Sequence, residues 1–403
     1  MDCKGAFIVE AHNTQPDKTP QGPESWYAQQ QGQSGLVQLY PKLGDHQDIQ
    51  GLSHSTQDTT PQFPPVCEAI VDIIAIHGLG TTQASYIWKQ SDEAEPRGIN
   101  WLQDQGMLPA VVPRSRIFTY EWNSGFDQNA AIKNMAEHAD ELLRHLYKLR
   151  TAHDSRGLDG ETRPIIFIAA CFGGLLLLKA LSQAMAEESQ SPFPYSLIPL
   201  QTAGAIFMGT PFSGSHTALY ETCNLRMRIG AHLGKDTSQY LVSLLKSDSS
   251  ELKEIVENFK QLSSRSEFDF PVCCVYETRT ADYSTSMGQV RNNLKKKSRE
   301  RRGWKFGKND RVLDKLWTEI QGTMDSDLSM MVVNRQSATL PGREKLALDV
   351  KHGNLIRFPG ADDPSFRKIA DLVRKMAEDA SGVLRRKQDS PRSEASIGAS
   401  IGF

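Results

Sequence analysis

Apolar and polar positions fall into three regimes along the chain. Up to about residue 65 the sequence is rich in Gln, Pro, Gly, Ser and Thr and carries few apolar clusters. Such a composition buries too little apolar surface to offset the entropy of ordering. From about 66 to 385, short apolar runs alternate with stretches of helical period. The last residues, SPRSEASIGASIGF, are polar and small. The pattern predicts a disordered arm over 1–65, one folded domain over 66–385 and a disordered tail over 386–403.

Within the middle regime, strand-length apolar runs occur at 71–76 (VDIIAI), 116–120 (RIFTY), 165–169 (IIFIA), 204–208 (GAIFM) and 270–276 (FPVCCVY). Shorter ones occur at 330–333 and 345–348. Between them, apolar residues recur at helical spacing. Residues 130–150 place Ile132, Met135, Ala139, Leu142, Leu143 and Leu146 on one face. Residues 175–186, roughly 217–262 and 366–380 read as further helices, with 217–262 as a helical cap region. Strands alternating with helices predict an α/β fold, a mostly parallel sheet with helices on both faces. Ligands of such sheets bind beyond the carboxyl ends of the strands. His77, Cys171, Gly209, Glu277 and His352 all fall at or just past strand ends, so they are expected on one rim.

The 403 residues carry a net charge of -2, which gives no global argument for nucleic acid or an anionic surface. Six cysteines (3, 67, 171, 223, 273 and 274) follow neither a disulfide nor a zinc spacing, a pattern that suits a reducing compartment. No basic start with an apolar core opens the chain, and no run reaches a membrane-spanning length. The expected place is intracellular and cytoplasmic, with a peripheral-membrane or nuclear location as alternatives. No cofactor, metal or specific nucleic acid is expected.

Chemistry concentrates in PIIFIAACFGGLLLLK, residues 164–179. An apolar strand runs into a glycine pair and a helix, with Cys171 at the turn. That layout is a nucleophile elbow. Its turn is so sharp that the residues two before and two after the nucleophile must be small; Ala169 and Gly173 are. Acyl transfer needs two backbone N–H donors for the developing oxyanion. Phe172 follows the nucleophile and supplies one; Leu79, in the His77-Gly78-Leu79-Gly80 loop after the first long strand, supplies the other. A thiol nucleophile needs an imidazole. His12, His46 and His54 lie in the arm, His138, His145 and His153 on or near the solvated side of one helix, and His77 in the oxyanion loop. Of the three that remain, His352 follows the last strand, where the base of this topology stands; His216 and His232 are its rivals. Glu277, directly after the 270–276 strand, is the leading group to orient the imidazole. Asn334 is the alternative, since an amide also holds a tautomer, and Asp349 is third.

The ordered set VDIIAIHGLG, IIFIAACFGG, AIFMGTPFSGS, FPVCCVYET, VVNRQSA and DVKHGNLIRF, over about 66–375, resembles the eukaryotic lipase-like serine esterases. These are relatives of GPI inositol-deacylase and of the esterase-like domains heading many fungal NLR-type receptors. The resemblance implies an α/β-hydrolase fold and hydrolysis of an ester or lipid. Three motifs depart from the family. Cys171 stands in place of the nucleophilic Ser, with Ala170 before it. Phe212 and Ser213 replace a His-Arg pair. Asn334 replaces a carboxylate.

A basic insertion is expected over 284–326. Its segment Arg291 to Arg311 holds ten Lys or Arg against Glu300 and Asp310, with Trp304 and Phe306 interleaved. That composition suits peripheral contact with a lipid surface, and its KKKSRERR resembles a nuclear localisation signal. Two functions follow. One is an acyl hydrolase or acyl transferase acting on an ester or thioester through Cys171 and His352, with an acyl ester or lipid-like small molecule as substrate. The other is a catalytically lapsed module used for sensing, signalling or partner binding.

Overall fold

The computed structural model describes residues 35–41, 69–81, 87–90, 98–152, 162–186, 195–282, 288, 291–292, 295, 311–324 and 329–389. The sheet strands are β1 (Gly35–Tyr40), β2 (Val71–Ile76), β3 (Ser115–Glu121), β4 (Ile165–Ala170), β5 (Thr202–Met208), β6 (Val272–Glu277) and β7 (Glu344–Leu348). They form one seven-stranded sheet in the order β1-β3-β2-β4-β5-β6-β7. All neighbours are parallel except β1, which pairs antiparallel with β3 at the edge. With its crossover helices this is the α/β-hydrolase fold.

Strand β2 shows why the sheet is covered on both sides. Ile73 and Ala75 belong to one buried cluster, Ile74 and Ile76 to the other. Successive side chains of a strand point to opposite faces, so a strand buried at every position, as β2 is, needs helices above and below. One face carries α1 (Met135–Thr151), α2 (Phe172–Ala184) and α4 (Ser250–Leu262); the other carries α6 (Pro364–Asp389). Helix α2 lies deepest. Leu175, Leu176, Leu177 and Leu178 are all fully buried, because α1 and α4 close over the flanks that face away from the sheet. Each such burial is worth about 1.5–3 kcal/mol. Between α2 and α4 on the chain lies α3 (Thr217–His232), and α5 (Arg311–Met324) packs on α3.

Several elements differ from the sequence reading. Gly35–Tyr40, placed in the disordered arm, is a strand: Leu36, Leu39 and Tyr40 are buried, and β3 supplies its hydrogen bonds. Helix α1 starts at Met135, not 130. Asn134 caps it, its Oδ1 accepting from the Glu137 N–H at 2.9 Å while Glu137 Oε2 accepts from the Asn134 N–H at 2.8 Å. Ile132 therefore lies before the helix and is fully exposed rather than on its apolar face. His138, expected on the solvated side, is buried against Trp122. Helix α6 continues past 380 to Asp389, because Val383, Leu384 and Lys387 extend its buried stripe. In the cap region, α4 packs on α2 as part of the main layer. Most of the basic segment 291–311 lies outside the described residues. Among the described residues, no helix is long and apolar enough to cross a membrane.

Candidate active site

The carboxyl ends of β2, β4, β5, β6 and β7 bring the chemistry together. Strand β4 ends at Ala170 and α2 begins at Phe172, leaving Cys171 alone to make the turn. Its backbone sits at φ 49° and ψ -121°, a conformation L-residues adopt only under strain. The turn is anchored on the sheet, since the Cys171 N–H donates to Met208 O at 2.9 Å. The helix starts so close to β2 that a Cβ on Gly173 would lie 2.5 Å from Ile76 O and 2.6 Å from His77 O. The small-residue rule of the elbow thus has a physical origin here in the β2 carbonyls. Cys171 is partly exposed, whereas Cys223, Cys273 and Cys274 are buried. Burial pushes the thiols of Cys223 and Cys273 up to about 12.

His352 follows β7 in a short turn of 3-10 helix and lines the same pocket as Cys171, whose side chain interacts with the imidazole. Its Nδ1 lies 3.0 Å from Glu277 Oε2. Both partners of that pair are buried. Glu277 ends β6, and its other oxygen, Oε1, accepts the Val333 N–H at 2.9 Å. Burial alone would hold the imidazole neutral, but the adjacent carboxylate and the interactions with Cys171 and Glu277 outweigh it, so the His352 pKa is raised. Burial likewise pushes the Glu277 carboxyl up, yet His352 and the Val333 N–H prevail and hold it below its ordinary value. The two shifts describe one buried ion pair that leads outward to a partly exposed thiol.

The glycine loop after β2 is fixed from behind. His77 Nδ1 lies 2.9 Å from Gly78 O, and His77 Nε2 accepts the Trp122 N–H at 3.3 Å. Trp122 Nε1 donates to His77 O at 2.9 Å, and the two rings stack. Ser124 O accepts the Gly80 N–H at 2.8 Å. With both nitrogens engaged and the ring buried, the His77 pKa is lowered to about 4, burial being the main cause. His77 is therefore a strut for the loop. Gly78 and Leu79 face Cys171 and His352 across a small pocket walled also by Ile87, Ala170, Met208, Leu355 and Ile356. Phe172 is the first residue of α2, so its N–H has no acceptor within the helix.

Other predicted residues stand elsewhere. Asn334 is exposed, and its Oδ1 accepts the Ser337 N–H at 2.9 Å. Asp349 is exposed and paired with Arg279. His216 caps α3, its Nδ1 accepting the Ala218 N–H at 3.2 Å. Sequence reasoning missed Ser337. Ser337 Oγ donates to Gly214 O at 2.5 Å and accepts the Ser213 N–H at 3.1 Å, while Ser337 O accepts the Phe212 N–H at 2.9 Å. It stitches the GTPFSGS loop to the VVNRQSA turn, so two of the three departing motifs meet. Phe212 is buried edge-on against Phe207, 5.4 Å between centroids, and fits the apolar core. The SA pair of VVNRQSA was the available signal, but no periodicity assigns a hydroxyl to a partner 120 residues away.

No protein-family model matches the chain. It is similar to Protein SERAC1 of Bos taurus, 28% identical over 222 residues, which is 52% of this chain and 30% of that protein. It is also similar to Protein SERAC1 of Danio rerio, 29% identical over 212 residues, 49% of this chain and 29% of that protein. The chain thus spans less than a third of the curated relatives it matches. Among solved structures, the mature form of Bacillus licheniformis lipase BlEst2 aligns with TM-score 0.41 and 14% identity over 78% of this chain and 96% of that one. A lipase-esterase related protein from Clostridium acetobutylicum aligns with TM-score 0.32 and 10% identity over 77% of this chain and 96% of that one. By its own strand order, elbow and glycine loop, the chain has the α/β-hydrolase fold.

Proposed function

We propose that this chain is a cysteine-dependent acyl hydrolase or acyl transferase. Cys171 Sγ attacks the carbonyl of an ester or thioester, and His352 accepts the thiol proton. Glu277 holds the imidazole by Nδ1 and stabilises its charged form. The backbone N–H groups of Phe172 and Leu79 receive the oxyanion. The leaving group departs, and water or a second acceptor, deprotonated by His352, takes the acyl group from sulfur.

The observation that carries this reading is the connected line Cys171–His352–Glu277 at a strained elbow. Backbone strain of this kind costs about 1–3 kcal/mol and persists where the surroundings impose it. The apolar walls of Leu79, Ile87, Met208, Leu355 and Ile356 suit an apolar acyl group. A lapsed module is the weaker reading. Phe212 and Ser213 are absorbed into packing and loop bonding, and leave the line of three groups untouched. The test is hydrolysis of p-nitrophenyl butyrate by the full chain. Cys171→Ala and His352→Ala should each abolish turnover; Cys171→Ala should keep the urea midpoint of the parent, while His352→Ala, which leaves the Glu277 carboxylate buried without its partner, should lower the midpoint yet keep a folded circular-dichroism spectrum. Undiminished turnover in either variant would refute the assignment.

A further inference from the structure

We infer that the substrate class of this site is the acyl thioester rather than the alkyl ester, so that Cys171 exchanges one thiol for another. This rests on the acyl-enzyme reading above and narrows it.

The argument concerns how the tetrahedral intermediate collapses. That intermediate holds two candidate leaving atoms, Cys171 Sγ and the atom the substrate brings. The group whose conjugate acid has the lower pKa leaves faster. A free thiol ionises near 8.5, whereas an oxygen acid such as water ionises near 15.7. From an alkyl ester, the intermediate therefore returns Sγ and regenerates substrate. From a thioester, the two sulfurs are matched and collapse goes forward. A hydroxyl nucleophile at position 171 would be matched to an alcohol instead.

An acid placed at the departing oxygen would repair the mismatch. Among the described residues, the pocket offers none beyond the base itself. Its walls are Leu79, Ile87, Met208, Leu355 and Ile356. His77 faces inward, one ring nitrogen on Gly78 O and the other on the Trp122 N–H. His216 is spent on capping α3. His352 is left to serve both sulfur and leaving group, and Glu277, itself fixed by the Val333 N–H, favours its charged form. Such an imidazolium gives up its proton reluctantly. A departing thiolate needs that proton little; a departing alkoxide needs it entirely.

The step balances. The Cys171 proton passes to His352 as the Sγ–C bond forms. The C–S bond of the substrate breaks, and the departing thiolate takes the proton from His352. Water then adds to the acyl carbon, giving its proton to His352. The C–Sγ bond breaks, Sγ takes that proton from His352, the carboxylic acid leaves, and the thiol of Cys171 and the neutral imidazole are restored.

The experiment compares S-butyryl-N-acetylcysteamine with its oxygen counterpart, O-butyryl-N-acetylethanolamine, on the full chain. The wild type should favour the thioester in kcat/KM by about 100-fold or more, and Cys171→Ser should reduce that ratio to about tenfold or less. In parallel, acid-quenched wild type treated with p-nitrophenyl butyrate is mapped for an adduct at Cys171. An adduct together with equal or preferential use of the oxygen ester overturns the thioester assignment and leaves the acyl-enzyme standing. Absence of any adduct at Cys171 overturns the acyl-enzyme, and the substrate class with it.

Discussion

Asp72, near the beginning of β2, and Glu277, at the end of β6, are both buried carboxylates, and their surroundings are opposite in design. At the amino end, Asp72 is fully buried and gathers three guanidinium groups. Arg116 binds it with Nε at 2.7 Å and a second nitrogen at 2.8 Å, Arg150 at 2.5 Å and Arg163 at 3.8 Å. Those arginines also donate to Ala69 O, Arg163 O and Gln201. They join β2, β3, the end of α1 and the approach to β4, and nothing there opens outward. At the carboxyl end, Glu277 is equally buried but binds one imidazole, which shares a pocket with a partly exposed thiol. A buried carboxylate surrounded by donors from several elements fixes register. A buried carboxylate with one imidazole between it and the surface can move a proton. Burial and charge alone do not separate the two; the exit does.

The largest effect should come from breaking the closed end. Asp72→Ala removes the carboxylate on which three buried guanidinia converge, and uncompensated buried charge costs about 3–5 kcal/mol. The urea midpoint should collapse or the chain fail to accumulate folded, with no specific effect on the chemistry of the remaining folded fraction. An unchanged midpoint would dissolve the contrast between the two ends.

Glu277→Gln should do the reverse. The amide keeps a bond to His352 but offers no charge for the imidazolium, so turnover of p-nitrophenyl butyrate should fall by about 10³–10⁴-fold. The fold should persist near neutral pH. The linkage can be read separately. The raised His352 value contributes stability that is fully present below about pH 6.5 and is lost as pH rises through the folded value. The lowered Glu277 value contributes stability present above its ordinary 4.5 and lost as pH falls through the folded value. The stability difference between parent and Glu277→Gln should therefore be widest between those limits.

A third, smaller effect separates the site from its support. His77 and His138 are buried and neutral, each lowered to about 4 chiefly by burial. For His138 the nearby charges are Glu141 and Glu137, which raise it, and Lys133, which lowers it. Folded and unfolded states then differ in bound protons between pH 6.5 and 4, and stability must fall as pH drops through that window. The loss is about 3 kcal/mol per histidine by pH 4. His138→Phe should flatten the slope of the urea midpoint between pH 6.5 and 4.5 and leave neutral turnover within about twofold. A slope identical to the parent would mean His138 is not the group that titrates.

The elements that were legible in the sequence, and those that were not, follow the same physics. The apolar runs mark β2 at its exact bounds and β4 to β6 within two residues, because strands buried on both faces are nearly continuous in apolar residues, with Asp72 and Glu277 as the paired exceptions. The elbow was legible because its steric demand is local. The shared rim of Cys171, His352 and Glu277 was legible because topology alone sends strand ends to one side. The edge strand β1 was hidden in GLVQLY by its polar neighbourhood, since one strand on an edge needs apolar residues only where β3 and the core meet it. His138 was misplaced because helical period assigns a face but not the Trp122 ring that covers it. Ser337 and the Asp72 cluster were invisible for a common reason: both join residues far apart in the chain.

The smallest expected effect sharpens the choice of orienting group. Asn334→Asp keeps an oxygen for the Ser337 N–H at an exposed position. It should alter stability by no more than about 0.5 kcal/mol and turnover by less than about threefold. A large loss of turnover would shift the orienting role from Glu277 toward the 332–338 turn.

The central claim is that Cys171 is the acyl-accepting nucleophile. Peptide mapping of the full chain after a brief reaction with an acyl-directed activity probe addresses it most directly. The account predicts modification at Cys171, lost in His352→Ala, with Cys223, Cys273 and Cys274 unmodified. Modification at any other residue, or labelling of Cys171 that survives loss of His352, would contradict it.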